Sequence, residues 1–124
     1  ACRGAKRGGG TTIGVTYGKG GQIYGEENMD AMIATGLERG GGRELTLVLS
    51  CDVIITVSGG SGTLTEIAIA YQANIPIVAL KGTGGWTDKL SSTFLDARKR
   101  LKIEPAATPK KAVELAIKLA KNKR

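Results

Sequence analysis

Histidine is absent from the 124 residues. No histidine triad, imidazole base or histidine metal ligand can be built from this chain, which removes the side chain most suited to proton transfer near neutral pH. Cysteine is almost absent. Cys2 and Cys51 lie far apart, without metal-ligand spacing, and both read as small apolar residues of a reduced, cytoplasmic protein. No metal site is expected. Aromatic residues make up 4% of the chain, too few for the stacking platforms of a single-strand binder. No apolar run approaches the roughly 20 residues of a membrane span, and no leader pattern is present, so a soluble chain without a membrane partner is expected.

Glycine, by contrast, is abundant: 19 residues, about twice the usual share. The glycines gather at 8–10, 18–21, 40–42, 59–62 and 82–85, as punctuation between elements. The net charge of +7 favours anionic partners. Much of it sits in Arg98, Lys99, Arg100 and Lys102 and in the tail over 110–124, and a solvated basic face explains both. A nucleic-acid partner is therefore disfavoured. The length allows one domain, 1–124, able to bury roughly two thirds of its unfolded surface.

The chain is organised around residues 52–66, DVIITVSGGSGTLTE. Val53, Ile54, Ile55 and Val57 form a nearly continuous apolar run, which suits a parallel strand covered on both faces. Ser58, Gly59, Gly60, Ser61 and Gly62 then turn the chain with little side-chain bulk, and a helix begins near Thr63 and Thr65. Free N–H groups at a helix N-terminus and the helix dipole together favour phosphate or carboxylate. Glu66 falls within the first turn or so. The turn lacks Rossmann G-x-G-x-x-G spacing, and no lysine follows it as in a Walker A loop. Gly18-Lys19-Gly20 also fails as a Walker A loop, because Ile13 and Gly20 stand where Gly and Ser or Thr are required. A plain tight crossover competes with the anion-site reading.

Elements follow in order. Residues 1–7 end a helix stopped by glycines, 11–16 make a strand, 17–29 a loop, 31–35 a short strand and 36–42 a loop holding Glu38 and Arg39. Residues 43–51, RELTLVLSC, admit a strand because Leu45, Leu47 and Leu49 alternate. Helix is preferred, since parallel strands need a crossover. Residues 62–73 form a helix with Asn74 at its C-terminal end, and 75–80 a buried strand with Pro76 at its start. Residues 81–88, KGTGGWTD, form a second glycine loop at a strand's carboxyl end, where open α/β sheets bind ligands; Gly84 and Gly85 accordingly join the candidate set. Trp86 is expected to pin that loop or to stack on a base, and Asp88 to cap a helix or helical turn over 89–100 or to meet a ligand hydroxyl. Residues 103–107 are a last short strand or extended segment. Thr108 and Pro109 start a final helix with an apolar stripe at Ala112, Leu115, Ala116, Leu119 and Ala120. Alternating strands and helices give an α/β fold: a Rossmann-like open parallel sheet with helices on both faces.

Arg43 stands sixteen residues before Gly59, and Glu66 seven after it. A cation and a carboxylate flanking an anion-binding turn suit a sugar phosphate: the turn takes phosphate, the carboxylate takes ribose hydroxyls and the guanidinium offers a planar fork. A structural ion pair is the plainer alternative. Arg43 followed by Gly59-Gly60-Ser61-Gly62-Thr63-Leu64-Thr65-Glu66 resembles the R…PGGxGTxxE signature of the LONELY GUY-like proteins. These include cytokinin-activating phosphoribohydrolases once mislabelled lysine decarboxylases. Residues 1–10, 59–66 and 82–88 are similar to a subgroup of small Rossmann-like prokaryotic proteins related to the molybdenum-cofactor carriers.

The resemblance implies a nucleotide-binding Rossmann-like fold, commonly a homo-oligomer, with Arg43 and Glu66 catalytic in the hydrolases and Gly59, Gly60, Ser61, Gly62 and Thr63 on phosphate. The hydrolase reaction releases free base and ribose 5-phosphate from a nucleoside 5′-monophosphate. Glu66 would orient ribose or water and stabilise charge at C1′, and Arg43 would position the substrate. Ser58 stands where the hydrolases carry proline, and Glu44 follows Arg43 where they carry lysine. Ala1 matches a helix just after the family's first glycine loop, so the front strands are expected to be missing. Binding of a small phosphorylated ligand, a nucleotide or the molybdenum cofactor, with no cofactor required, is therefore the first expectation. Phosphoribohydrolase activity is the second and a nucleic-acid role the third.

Overall fold

A computed structural model describes residues 1–17, 25–36 and 42–122. The loops expected over 17–29 and 36–42 fall largely outside them, Gly18-Lys19-Gly20, Glu38 and Arg39 included. The chain forms two compact units, Ala1–Leu47 and Val48–Arg124.

In the first unit, α1 (Cys2–Arg7) ends at Gly8, and the chain reverses at Gly9, whose φ of 77° suits glycine. Strands β1 (Ile13–Thr16) and β2 (Ala31–Ala34) pair in parallel from Ile13↔Ala31 to Thr16↔Ala34. A 3₁₀ turn, Glu26–Asn28, precedes β2. Asp30 ties these pieces together: its carboxylate accepts from the Thr12 amide at 2.7 Å and pairs with Lys6 at 2.5 Å. Helix α2 (Gly42–Leu49) forms where the alternating leucines allowed a strand. Helical spacing explains the outcome, because Glu44 and Val48, four residues apart, are both buried while Leu45 and Leu49 stay exposed.

The second unit is a three-stranded parallel sheet in the order β3 (Ile54–Thr56), β4 (Ile77–Leu80), β5 (Glu104–Ala106). Helix α3 (Ser61–Gln72) returns the chain from β3 to β4. Central β4 is buried on both faces. Ile77 and Ala79 pack with Ile67, Ala70 and Tyr71 of α3. Val78 packs on the other face with Ala112 and Ala116 of α5 (Pro109–Asn122). At two faces per strand, such burial dominates the stability of a parallel sheet. The 52–57 run is less buried than expected: Ile55 and Val57 are exposed, and Thr56 is buried instead. The cause is β3's position as the outer strand of this sheet, where α5 helps cover Val53 but not Ile55 or Val57.

Helix boundaries follow local chemistry. Asn74 takes φ 57°, and the amides of Asn74 and Ile75 return to the carbonyls of Tyr71 and Ala70, the paired bonds of a left-handed helix stop. Thr108 Oγ1 accepts from the Lys111 amide at 3.2 Å and caps α5. The expectation for 81–100 needs correction. Helix α4 spans Gly85–Leu90, starting four residues early and stopping where turns begin. Asp88 does not cap it from outside; from within the helix its carboxylate accepts the amides of Gly82 and Gly84 at 2.9 and 2.7 Å. That tertiary capping lets a Gly-Gly start become helical.

Candidate functional site

Two glycine turns close the carboxyl ends of the neighbouring strands β3 and β4. In the first, Ser58 and Gly59 both have positive φ, 52° and 97°. A Cβ on Gly59 would overlap the Thr63 side chain, which lies over it. Gly60 is the N-cap residue of α3, and no side chain caps that end. The Leu64 amide is the first to return to a carbonyl, that of Gly60 at 3.1 Å. The amides of Ser61, Gly62 and Thr63 precede it and have no acceptor within their own helix.

Gly60 differs from its neighbours. Its φ is −97°, and a Cβ there would meet none of the described residues within 4 Å. No described neighbour demands glycine at that point. A bare backbone beside exposed amide donors fits an anionic group with a phosphate's geometry. One residue before Val57, the buried Thr56 hydroxyl has no hydrogen-bond partner among the described residues.

Glu66 is the sixth residue of α3, in its second turn rather than its first. Three residues after Thr63 and four after Gly62, it shares their helix face, and side chains lean toward the helix N-terminus. Its negative charge reaches Cys51. Burial, then Asp52, then Glu66 push the Cys51 thiol up. A thiol held protonated is a poor nucleophile.

The second turn is bonded onto the first. Thr83 Oγ1 accepts from the Ser58 amide at 2.8 Å and donates to the Leu80 carbonyl at 2.8 Å. Thr87, fully buried, donates its hydroxyl to the Ser58 carbonyl at 2.7 Å, and its amide donates there as well. The Trp86 amide donates to Gly59 at 3.0 Å. Gly85 sits directly on this contact: a Cβ would lie 2.7 Å from the Gly59 nitrogen and 2.8 Å from the Ser58 carbonyl carbon. Gly84 needs glycine for its φ of 84°. Trp86 itself is half-buried, with the Lys89 ammonium 4.7 Å from its ring centre. Sequence reasoning passed over Thr83 and Thr87; their signal was faint, two hydroxyls inside a glycine-rich loop.

Thus Gly59, Gly60, Ser61, Gly62, Thr63, Gly84 and Gly85 come together in the second unit. Arg43 belongs to the first. Its guanidinium pairs with Glu44 at 3.2 Å and stacks 4.8 Å from the Tyr17 ring centre. Among the described residues no cluster of His, Cys, Asp or Glu could hold a metal ion, and no helix is long and apolar enough to cross a membrane.

Parallel strands joined by helical crossovers, with glycine turns at strand carboxyl ends, define a Rossmann-like α/β protein. Residues 1–113 match the family model of the SLOG cluster4 family, and the chain belongs to that family. Among solved structures it is similar to TM1055, a structural-genomics target, at 30% identity and a TM-score of 0.82 over 94% of this chain and 69% of that one. It is similar to the molybdenum cofactor binding protein of Rippkaea orientalis at 28% identity and 0.73, over 95% and 68%. The molybdenum cofactor carrier protein of Chlamydomonas reinhardtii matches at 30% identity and 0.62, over 95% and 67%. No curated protein matches the chain. These relatives agree with the resemblance read from the Gly59-to-Glu66 signature.

Proposed function

We propose that this chain binds a phosphorylated, nucleotide-like ligand, its phosphate on the amides of Ser61, Gly62 and Thr63. The observation that carries this reading is Gly60: no described residue stands over it, at an uncapped helix N-terminus that follows a strand's carboxyl end. Glu66, on the same helix face, would accept from ribose or other ligand hydroxyls. The structural neighbours named for the molybdenum cofactor support a ligand of the same chemistry, since that cofactor's pterin bears a phosphate ester. In that case the same amides would hold the phosphate, and the metal would come with the ligand.

Calorimetric titration with AMP and with adenosine tests the reading. AMP should bind more tightly, and Gly60→Asp should abolish most of that advantage, weakening AMP at least about tenfold. A carboxylate at an N-cap stabilises a helix by a few tenths of a kcal/mol over glycine (roughly), so the variant's thermal midpoint should hold or rise. Equal affinity for AMP and adenosine would sink the reading. The second reading is turnover. Free adenine and ribose 5-phosphate from AMP, lost in Glu66→Gln and Arg43→Ala, would establish it.

A further inference from the structure

We infer that the 82–88 segment is a splint for the first turn, and that Thr83 and Thr87 are positioning residues which aim its amides at a phosphate monoester. The inference rests on the phosphate-binding reading above. Its basis is the planarity of the peptide bond. In a trans peptide the N–H points opposite to the C=O. The Ser58 carbonyl is held by the Thr87 hydroxyl and amide, and the Gly59 carbonyl by the Trp86 amide. The N–H groups of those same two peptides belong to Gly59 and Gly60, so both are turned away from the splint. They extend the row of Ser61, Gly62 and Thr63 amides by two donors.

Thr83 fixes the other end. Its hydroxyl accepts from the Ser58 amide and donates a hydrogen bond to the Leu80 carbonyl, which anchors the turn to the last residue of β4. Ser58 is thereby held at a positive φ that a serine visits rarely. A proline could neither reach that φ nor donate that bond. Gly85 completes the splint, because only a residue without Cβ lets the two backbones touch. Loss of any of these bonds frees the Ser58 and Gly59 peptides to rotate, and the donors lose their common direction.

The test uses the full chain with AMP and adenosine as probes. Thr83→Val keeps the shape and removes the hydroxyl; Thr83→Ser keeps the hydroxyl. Thr83→Val should weaken AMP about tenfold and leave adenosine unchanged, and Thr83→Ser should restore AMP. A structural role alone would lower the melting midpoint and leave the AMP-to-adenosine ratio as in the wild type; that result overturns the splint while the binding reading stands. Wild-type protein that does not distinguish AMP from adenosine overturns both. Should Thr83→Val not fold, amide NMR of the wild type decides: AMP should shift Gly59 and Gly60 along with Ser61, Gly62 and Thr63. Shifts confined to the last three overturn the inference.

Discussion

Gly60 and Gly85 sit in neighbouring turns yet are glycine for opposite reasons. At Gly85 both φ, 58°, and the Gly59 backbone exclude a side chain. At Gly60 φ is negative and no described neighbour excludes one. Gly85→Ala should therefore destabilise the second unit by roughly 2–4 kcal/mol, from overpacking plus left-handed strain. Gly60→Ala should be near neutral, within about 0.5 kcal/mol. Urea denaturation of both variants checks the contrast; equal midpoints would mean the two turns do not touch as described. The sequence marked both glycine clusters but ranked their members equally. What separates them is which backbone lies opposite, a long-range contact that no local pattern encodes.

Element by element, local signals worked where an element's own residues set its ends. Thr108 with Pro109, and Asn74, mark helix ends through bonds made within a few residues. The start of helix α4 escaped notice because it is held by Asp88 reaching back to Gly82 and Gly84, against the poor helix propensity of glycine. Beyond α4, the basic loop over 94–102 is tied to α3 through Tyr71, whose hydroxyl donates to Asp96 at 2.6 Å and accepts from the Arg100 amide. That phenol lowers the Asp96 carboxyl below its ordinary 3.8, outweighing the opposing effect of desolvation, with help from the Arg98 amide and charge. Lys6 and then Thr12 do the same for Asp30 in the first unit. A carboxyl lowered in the folded state contributes stability above its unfolded pKa and loses it as pH falls through the folded one. The thermal midpoint should thus decline on acidification below 3.8, the value both carboxyls share when unperturbed. In Asp96→Asn that decline should be shallower across a pH series of melting curves. An unchanged slope would place Asp96 outside the latch.

Across the whole molecule, the charge of +7 poses a choice between general attraction for polyanions and one specific anion site. Composition alone could not make that choice, because it gives the sum of charges and not their address. No lysine or arginine lies within residues 58–66; the donors there are uncharged backbone amides and hydroxyls. Lys118 and Lys121 are exposed on α5, which packs on the opposite face of β4 from α3. The two kinds of binding therefore predict different responses to salt. Surface lysines act through a field screened over about 10 Å at 0.1 M and 3 Å at 1 M, and each phosphate they neutralise on a single strand adds about −0.7 to the log–log salt slope. Amide donors in contact with one phosphate lose much less. AMP affinity should fall less than about tenfold between 50 and 500 mM salt, and Lys118→Gln with Lys121→Gln should leave it unchanged. Any retention of single-stranded DNA should weaken steeply with salt and weaken further in that double variant. If AMP binding instead followed the DNA slope and dropped with the two lysines, the anion would be held by the basic helix and not by the turn at Gly60.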